Sequence, residues 1–240
     1  MLEAVLFDWG GTLMHWGWDV ELLTAGHAAG LRTLGREPMP EMTAKFRDVY
    51  LPSYFAEKGM VEEIEYPAQV RQLLREFGVD VNDEELKRFL EAEHAEWGPA
   101  VQLSSTTHAL LETLRERGLK LALVSNAIDP PDLLHRDLER HGIADRIDFA
   151  VFSSEVGRRK PDPSIFQRAL DALGVEPEHA LFVGDTVATD IAGANALGMH
   201  TCQALWFFAD PDEEPEAEFR AFTQMDVLTA VNRLGAVSPA

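Results

Sequence analysis

Residues 5–13 read Val-Leu-Phe-Asp-Trp-Gly-Gly-Thr-Leu, and the interpretation of the whole chain depends on them. Together with Ala4, the first three form a short apolar run typical of a strand buried on both faces. Asp8 follows directly, and Gly10 and Gly11 then favour a tight backbone turn. Open α/β sheets bind ligands at the carboxyl ends of their strands, so Asp8 is a candidate functional residue. Taken alone, these residues fit equally well an ordinary turn that closes a strand.

The composition is that of a globular protein, with 240 residues of which 46% are hydrophobic and 26% charged. The formal net charge of −20 disfavours binding to nucleic acids or to anionic membranes. No apolar run approaches the length of a membrane span, and no signal-peptide pattern precedes the first strand. A single cysteine, Cys202, lies in an apolar stretch and excludes an intrachain disulfide. We therefore expect a cytoplasmic protein, either a monomer or a homodimer.

After the first strand the pattern is helical for about 80 residues and then alternates between strands and helices. From residue 15 to 97 we predict helices and no strand, at residues 19–32, 41–57 with a break at Pro52, 67–77 and 82–97. Further strands are predicted at residues 119–125, 149–152, 180–183 and 200–205. Helices are predicted at residues 104–117, 129–142, 164–173, 190–197 and 225–234, and loops at 157–163 and 209–218. This alternation predicts an α/β fold with a doubly wound parallel sheet.

Several predicted strands end on polar side chains or lead into a charged loop. These side chains are Asp8, Ser125 with Asn126, Lys160 and Asp185. Because parallel strands end at the same edge of a sheet, the groups can converge on one point. Carboxylates, a hydroxyl and an ammonium group together suit a hard cation and a phosphoryl group. Asp190 lies five residues after Asp185, in the same corner, and can also approach the cation.

The polar segments match a known family in type and order. Residues 8–13, Ser125-Asn126, Lys160-Pro161 and residues 184–190 (Gly-Asp-Thr-Val-Ala-Thr-Asp) resemble the four motifs of the haloacid dehalogenase-like (HAD) hydrolase superfamily. The helical segment between the first two motifs resembles the cap of the first type in that family. The resemblance implies a Rossmann-like core, residues 1–14 and 100–240, with an inserted helical cap, residues 15–99. It also implies a hydrolase, most simply a phosphatase of a small phosphorylated metabolite.

The resemblance implies that Asp8 is the nucleophile, which attacks phosphorus to give an aspartyl-phosphate that water then hydrolyses. It further implies a Mg²⁺ ion held by Asp8, the main-chain carbonyl of Gly10 and Asp185, with Asp190 as ligand or outer support. The charges require such a cation, because an anionic nucleophile is otherwise repelled by an anionic phosphate.

The same resemblance assigns contacts to the transferring phosphoryl group. Ser125 and Asn126 would donate hydrogen bonds to it, and Gly11 would lie against it. Lys160 would neutralise it and help to keep the nucleophile ionised. Thr12 would donate its hydroxyl nearby.

The chain departs from the family pattern at Gly10, where the phosphatases usually carry an aspartate that acts as general acid and base. A positioned acid typically contributes about 10²- to 10⁴-fold to the rate. Its loss should therefore slow alkyl phosphates most and aryl or acyl phosphates least. His15 and Asp19 are the nearest side chains that could replace it; water, a substrate group or another cap residue are the alternatives.

Other functions remain open at this stage. Residues 8–12 also resemble phosphonoacetaldehyde hydrolases, which cleave a C–P bond with a cap lysine, but no cap lysine matches that role among Lys45, Lys58 and Lys87. The intact Asp185 and Asp190 disfavour the metal-free dehalogenases, and the missing acid disfavours a mutase. A non-catalytic binding or regulatory protein is the alternative outside enzymes.

Four tryptophans, Trp9, Trp16, Trp18 and Trp97, lie near the predicted connections between core and cap. They can wall a pocket over the nucleophile or pack the two connections, and packing is the favoured interpretation.

Overall fold

The computed structural model describes residues 1–17, 19–52, 61–208 and 215–235. The strands in this part of the chain are β1 Ala4–Phe7, β2 Met14–Trp16, β3 Val101–Leu103, β4 Lys120–Ser125, β5 Phe149–Phe152, β6 Ala180–Gly184, β7 His200–Ala204 and β8 Phe219–Ala221. The α-helices are α1 Val20–Thr33, α2 Pro40–Lys45, α3 Tyr66–Glu76, α4 Asp83–Trp97, α5 Thr107–Glu116, α6 Pro131–Arg140, α7 Ser153–Val156, α8 Pro163–Leu173, α9 Ala192–Leu197 and α10 Val227–Leu234. Two π-helical segments, Phe46–Tyr50 and Val187–Ile191, complete this set.

The main sheet has six strands in the order β5-β4-β1-β6-β7-β8, and every neighbouring pair is parallel. Strand β1 lies inside the sheet, where Phe7 is in register with Leu123 of β4 and Val183 of β6. The carboxyl ends of β1, β4 and β6 therefore meet at one edge. The predicted fold class is confirmed, and this edge is where the sequence places the candidate site.

Both faces of the sheet are covered, as a doubly wound fold requires. Val5 and Phe7 of β1 join one apolar cluster, which includes leucines of α5 and α6. Ala4 and Leu6 point to the other face and join a second cluster with α8 and α9. This alternation follows from the two-residue period of a strand, and it explains why β1 is apolar without interruption.

Residues 20–97, which we call the helical insert, form a third apolar cluster of their own. Helices α1 and α4 pack closely, because Gly30 leaves room for the ring of Phe89, which would lie 2.6 Å from an added Cβ. Helix α4 begins with a capping box between Asn82 and Glu85, in agreement with the helix predicted from residue 82. The division of the chain into core and cap stays a prediction.

Several predictions are wrong in detail. Strand β2 lies within the segment predicted to be helical and pairs antiparallel with β3, so that the chain enters and leaves the insert side by side. The three residues of each strand are too few for a readable alternation. Strand β8 was also missed, and α5 begins at Thr107 without a side-chain cap rather than at residue 104.

Other predictions are met only in part of their range. Of the helix predicted at 41–57, residues 40–52 are described and helical, and residues 53–57 lie outside the described residues. Residues 209–214 of the predicted loop also lie outside the described residues.

Cys202 is buried on β7, and burial raises the pKa of its thiol to about 12. Within the described ranges, the helices all fall short of the length and apolarity needed to span a bilayer.

Candidate active site

Asp8, Asp185 and Asp190, called here the carboxylate cluster, meet at the carboxyl edge of the sheet. Asp8 follows β1, Asp185 follows β6, and Asp190 lies in the π-helical segment after β6. One carboxylate oxygen from each can lie within 4.8 Å of the other two. The Nζ atom of Lys160 is 2.6 Å from Asp8 Oδ1 and 2.7 Å from Asp190 Oδ1. The convergence predicted from the strand ends is therefore present in the fold.

Two glycines make the close approach of these groups possible. Gly11 has a φ of +78°, and a Cβ atom there would overlap the carboxylate of Asp185. A Cβ atom at Gly184 would likewise overlap the carboxylate of Asp190. Any side chain at either position would displace a member of the carboxylate cluster.

Lys160 is buried, with 2% of its surface exposed. Burial alone lowers the pKa of an ammonium group, but the charges of Asp190 and Asp8 outweigh it and raise the pKa of Lys160 above its usual value. Burial raises the pKa of Asp185 and of Asp190, and the neighbouring carboxylates raise both further. Three carboxylates thus share one ammonium group, which leaves an excess of negative charge in a buried site. This surplus and the oxygen donor set fit a hard divalent cation such as Mg²⁺.

Asn126 fixes the main chain at Lys160. The Lys160 N–H donates to Asn126 Oδ1 at 2.7 Å, and Asn126 Nδ2 donates to the Lys160 carbonyl oxygen at 3.2 Å. The Lys160 ammonium also lies 5.5 Å from the ring centroid of Phe182. Asn126, predicted to contact substrate, therefore already uses its amide to position the lysine.

Two further predicted site residues, Ser125 and Thr12, are both buried. Ser125 is buried at the end of β4. Thr12 is buried, and its Oγ1 atom has no hydrogen-bond partner among the described residues. The Thr12 carbonyl accepts hydrogen bonds from Trp206 Nε1 at 2.9 Å and Gln224 Nε2 at 3.1 Å, which anchors the turn after β1. Whether Thr12 and Ser125 contact a phosphoryl group stays a prediction.

A cavity of about 270 Å³ lies between this edge of the sheet and the helical insert. Gly10, Ser125 and Asn126 line it on the sheet side. Its aromatic wall consists of Trp9, Trp16, Phe46, Tyr66 and Trp97. Trp9, Trp16 and Trp97 thus line the cavity, whereas the sequence favoured a role in packing the connections. Trp18 lies outside the described residues. Phe46 and Tyr66 were missed, because a helical spacing of apolar residues indicates burial and not a particular cavity.

The two suggested replacements for the missing acid lie elsewhere. The Asp19 carboxylate accepts hydrogen bonds from Glu21 N and Leu22 N, so it caps α1. The His15 ring packs against Phe207 and Phe208, with centroid distances of 5.6 and 5.7 Å. Among the described residues, neither His15 nor Asp19 lines the cavity.

A second charged group in the cavity wall was missed altogether. His94 of α4 in the helical insert contacts Asp129 Oδ1 at 3.1 Å and Asp137 Oδ2 at 2.8 Å, both from the α/β part. Burial lowers the pKa of His94, but the hydrogen bonds and charges of the two aspartates outweigh it and raise the pKa to about 10. At neutral pH the protonated ring therefore links the helical insert to the α/β part by two ion pairs. No motif could have revealed it, since the three residues share no local pattern.

The parallel sheet defines an α/β protein, and its acidic cluster lies at the carboxyl edge, where such folds bind their ligands. A model of the haloacid dehalogenase-like hydrolases matches residues 2–198, and the chain belongs to this family. The family resemblance inferred from the motifs is thereby confirmed.

Several relatives of this chain are named as phosphatases. Phosphoglycolate phosphatase of Aquifex aeolicus is 30% identical over 206 residues, which are 85% of this chain and 85% of that protein. Phosphoserine phosphatase of Thermus thermophilus is 42% identical over 110 residues, 45% of this chain and 42% of that protein. Ribulose-1,5-bisphosphate 5-phosphatase of Halopiger xanaduensis is 35% identical over 128 residues, 52% of this chain and 51% of that protein. The chain thus spans about half the length of the last two relatives.

Solved structures share the fold over the whole chain. The 2-haloacid dehalogenase of Pseudomonas syringae pv. Tomato has a TM-score of 0.70 at 23% identity, covering 97% of this chain and 99% of that one. A HAD phosphatase of Thermococcus onnurineus has a TM-score of 0.66 at 24% identity, covering 99% and 100%. At these identities the likeness concerns the fold.

Proposed function

We propose that the protein is a Mg²⁺-dependent phosphatase of small phosphorylated molecules, with Asp8 as its nucleophile. The observation that carries the proposal is the buried Lys160, held 2.6 Å from Asp8 and 2.7 Å from Asp190, within a cluster of three carboxylates. A single ammonium group among three carboxylates is suited to bind a cation and a phosphoryl group together. The names of the relatives agree with this chemistry.

In the proposed reaction a carboxylate oxygen of Asp8 attacks phosphorus, while the bond from phosphorus to the ester oxygen breaks. Water then hydrolyses the aspartyl-phosphate and frees Asp8. Lys160, 2.6 Å from Asp8, offsets the charge of the phosphoryl oxygens. The hydroxyl groups of Ser125 and Thr12 donate hydrogen bonds to the phosphoryl oxygens, and Asn126 holds Lys160 in place.

The same carboxylates are proposed to hold the metal. Asp8, Asp185 and the Gly10 carbonyl would be its protein ligands, with Asp190 as a ligand or as support from the next shell. When bound, Mg²⁺ supplies positive charge that lowers the repulsion between Asp8 and the phosphate. Gly11, directly beside Asp185, leaves the space that this arrangement needs.

We further propose that the helical insert acts as a cap, with residues 15–99 forming the cap and residues 1–14 and 100–240 the core. The cavity between the two parts supports this division. Closure of a cap over the cavity would keep bulk water away from the first step and select the leaving group.

The decisive experiment measures hydrolysis of acetyl phosphate and p-nitrophenyl phosphate, with Mg²⁺ and with EDTA. Both substrates need little protonation of the leaving group. Asp8→Asn should lower kcat by at least about 10³-fold, because an amide oxygen is a poor nucleophile. Asp145→Asn, at an exposed aspartate of the α/β part, is the matched control and should retain full activity.

Equal turnover by Asp8→Asn and the wild type would exclude Asp8 as nucleophile. Mg²⁺ binding without any turnover would favour the non-catalytic alternative. The C–P cleavage alternative has little support, because neither Lys45 nor Lys87 of the described insert lines the cavity, and Lys58 lies outside the described residues. Borohydride trapping with phosphonoacetaldehyde would detect a Schiff base if one formed.

A further inference from the structure

The position of the cavity determines which part of a substrate enters it. Gly10, Ser125 and Asn126 of the phosphoryl site form one wall, and the helical insert forms the opposite wall. A phosphoryl group placed next to Asp8 would therefore direct the rest of its ester into this space. The cavity is therefore positioned to receive the leaving group of such an ester.

One part of the cavity wall is aromatic. Trp97 lies at the centre of this wall, 6.5 Å from the ring of Trp16 and 6.3 Å from that of Tyr66, measured between centroids. Phe46 continues the wall, with its centroid 6.0 Å from that of Tyr66. The Trp97 indole donates to the Leu22 carbonyl at 3.1 Å, which holds its ring in place. Rings arranged in this way favour a planar, apolar guest.

The charged groups of the wall already have partners. His94 lies between Asp129 and Asp137, so its two ring nitrogens are both engaged. Arg159 lines the cavity, and its guanidinium lies 3.8 Å from a carboxylate oxygen of Glu63. Among the described residues of the wall, we find no cation available to a second carboxylate or phosphate of the substrate. A leaving group with its own negative charge would also meet the two aspartates.

Gly10 constrains the leaving group independently of the walls. It offers no proton to the departing oxygen, whereas the family pattern has an acid at this position. A phenol ionises near pH 10, as the tyrosine side chain does, and can leave as an anion. An aliphatic alcohol is a far stronger base and depends on a proton donor.

We propose, building on the phosphatase assignment above, that the substrate is an aryl phosphate with an uncharged aromatic leaving group. The P–O bond to the aryl group breaks as the bond from Asp8 to phosphorus forms. The electron pair stays on the phenolate oxygen, which takes its proton from water. Water then cleaves the aspartyl-phosphate to inorganic phosphate and free Asp8.

The test compares kcat and KM for phenyl, benzyl and cyclohexyl phosphate, for phosphoserine, and for acetyl phosphate as a reference without a ring. Phenyl phosphate should exceed cyclohexyl phosphate and phosphoserine in kcat/KM by at least about 10-fold. Benzyl phosphate should have a KM close to that of phenyl phosphate but a lower kcat, since its ring fits and its alcohol leaves poorly.

A pair of variants tests the walls. Trp16→Ala should lower the ratio of kcat/KM for phenyl phosphate to that for acetyl phosphate by about 3- to 10-fold. Phe222→Ala removes an exposed aromatic ring outside the cavity, 64% exposed, and should leave the ratio unchanged. If Trp16→Ala fails to fold, the substrate series with the wild type decides alone.

The outcomes separate the two proposals. Acetyl phosphate turnover that depends on Asp8, with phenyl phosphate no better than cyclohexyl phosphate, would overturn the aryl inference and leave the phosphatase proposal intact. Faster turnover of phosphoserine than of phenyl phosphate would overturn it as well. Failure of every substrate to show turnover that depends on Asp8 would overturn both.

Discussion

In the part of the chain that the structure describes, two buried cations each lie between two carboxylates, and they differ in what surrounds them. Lys160 lies between Asp8 and Asp190 at 2.6 and 2.7 Å, and Asp185 adds a third carboxylate to the same group. His94 lies between two aspartates at 3.1 and 2.8 Å without a third. The first group therefore carries the larger surplus of negative charge, and its three carboxylates form a donor set for a divalent cation.

The second group is closer to neutral. Arg140 lies 3.6 Å from Asp137 and offsets part of the remaining charge. Its members come from the helical insert and from the α/β part, so its effect is to join them. We therefore expect the same pairing of cation and carboxylates to serve chemistry in one place and attachment in the other, with the third carboxylate as the difference between them.

Of the two cations, Lys160 should have the larger effect when it is removed. Lys160→Met should lower kcat for acetyl phosphate by about 10²- to 10³-fold, because a preorganised positive charge beside the phosphoryl group is lost. Mg²⁺ should still bind, as tightly or more tightly, since the three carboxylates then lack their ammonium partner. Calorimetric titration with Mg²⁺ and steady-state kinetics measure the two effects separately.

The control for this variant is Lys87→Met, which removes an exposed lysine of α4 outside the cavity. Its kinetics should match those of the wild type. Activity of Lys160→Met within threefold of the wild type would show that Lys160 only stabilises the fold.

Adding a carboxylate to the first group should have the next largest effect. A Cβ atom at Gly10 would meet only Met14 Cε, at 4.0 Å, and Gly10 is absent from the glycines with positive φ, so aspartate fits there. Gly10→Asp should raise kcat for cyclohexyl phosphate by about 10²-fold and change that for phenyl phosphate much less. Rates with the two substrates, measured side by side, test this.

Gly11→Asp is the matched comparison, because its new side chain would overlap Asp185 at a φ of +78°. It should lose both Mg²⁺ binding and turnover. If Gly10→Asp raised kcat equally for cyclohexyl and phenyl phosphate, a role for the missing acid would be contradicted.

How far the sequence predicts these two groups depends on how each is encoded. Asp8 and Asp185 follow apolar strands directly, and parallel strand ends share one edge, so local pattern and topology together predict the site. His94 is 35 residues from Asp129 and 43 from Asp137, and none of the three ends a strand. Their contact depends on how the insert packs on the sheet, which no periodicity in the chain describes. The strands were predicted except for β2, β3 and β8, whose three residues each are too few to show an alternation.

Breaking the second group should affect stability more than chemistry. His94→Gln leaves Asp137 buried without its main partner and should lower the free energy of unfolding by about 2 kcal/mol. The cost is moderated by Arg140, which stays near Asp137, and by the partial exposure of Asp129. Chemical denaturation measures the loss. His135→Gln, at the more exposed pair with Glu155, is the control and should change stability by no more than about 0.5 kcal/mol.

The pH dependence has a defined sign, because the pKa of His94 rises from 6.5 in the unfolded chain to about 10 in the fold. Its contribution is fully present below pH 6.5, declines as the pH rises, and is lost above about 10. The difference in stability between the wild type and His94→Gln should therefore shrink over this range. A constant difference would show that His94 is not protonated in the fold.

The smallest effect is expected at a third pairing, which distance alone would class with the other two. His27 Nε2 lies 3.3 Å from Glu93 Oε1 inside the helical insert, and Tyr66 donates to Glu93 Oε2 at 2.6 Å. Burial lowers the pKa of His27 to about 4 and raises that of Glu93 to about 8, so both are neutral at pH 7. No charge needs a partner here, unlike at Lys160 or His94.

Glu93→Gln should therefore change the free energy of unfolding at pH 7 by less than about 1 kcal/mol, since a neutral amide replaces a neutral acid. The unfolded chain loses the Glu93 proton near pH 4.5 and the fold near 8, so the contribution of Glu93 to the stability of the wild type declines between these values. The variant lacks this decline, so its free energy of unfolding should increase relative to that of the wild type as the pH rises. Glu96→Gln, an exposed change on the same helix, is the control. A loss of several kcal/mol in Glu93→Gln at pH 7 would mean that His27 and Glu93 form an ion pair. His27 would then be charged in the fold, as His94 is.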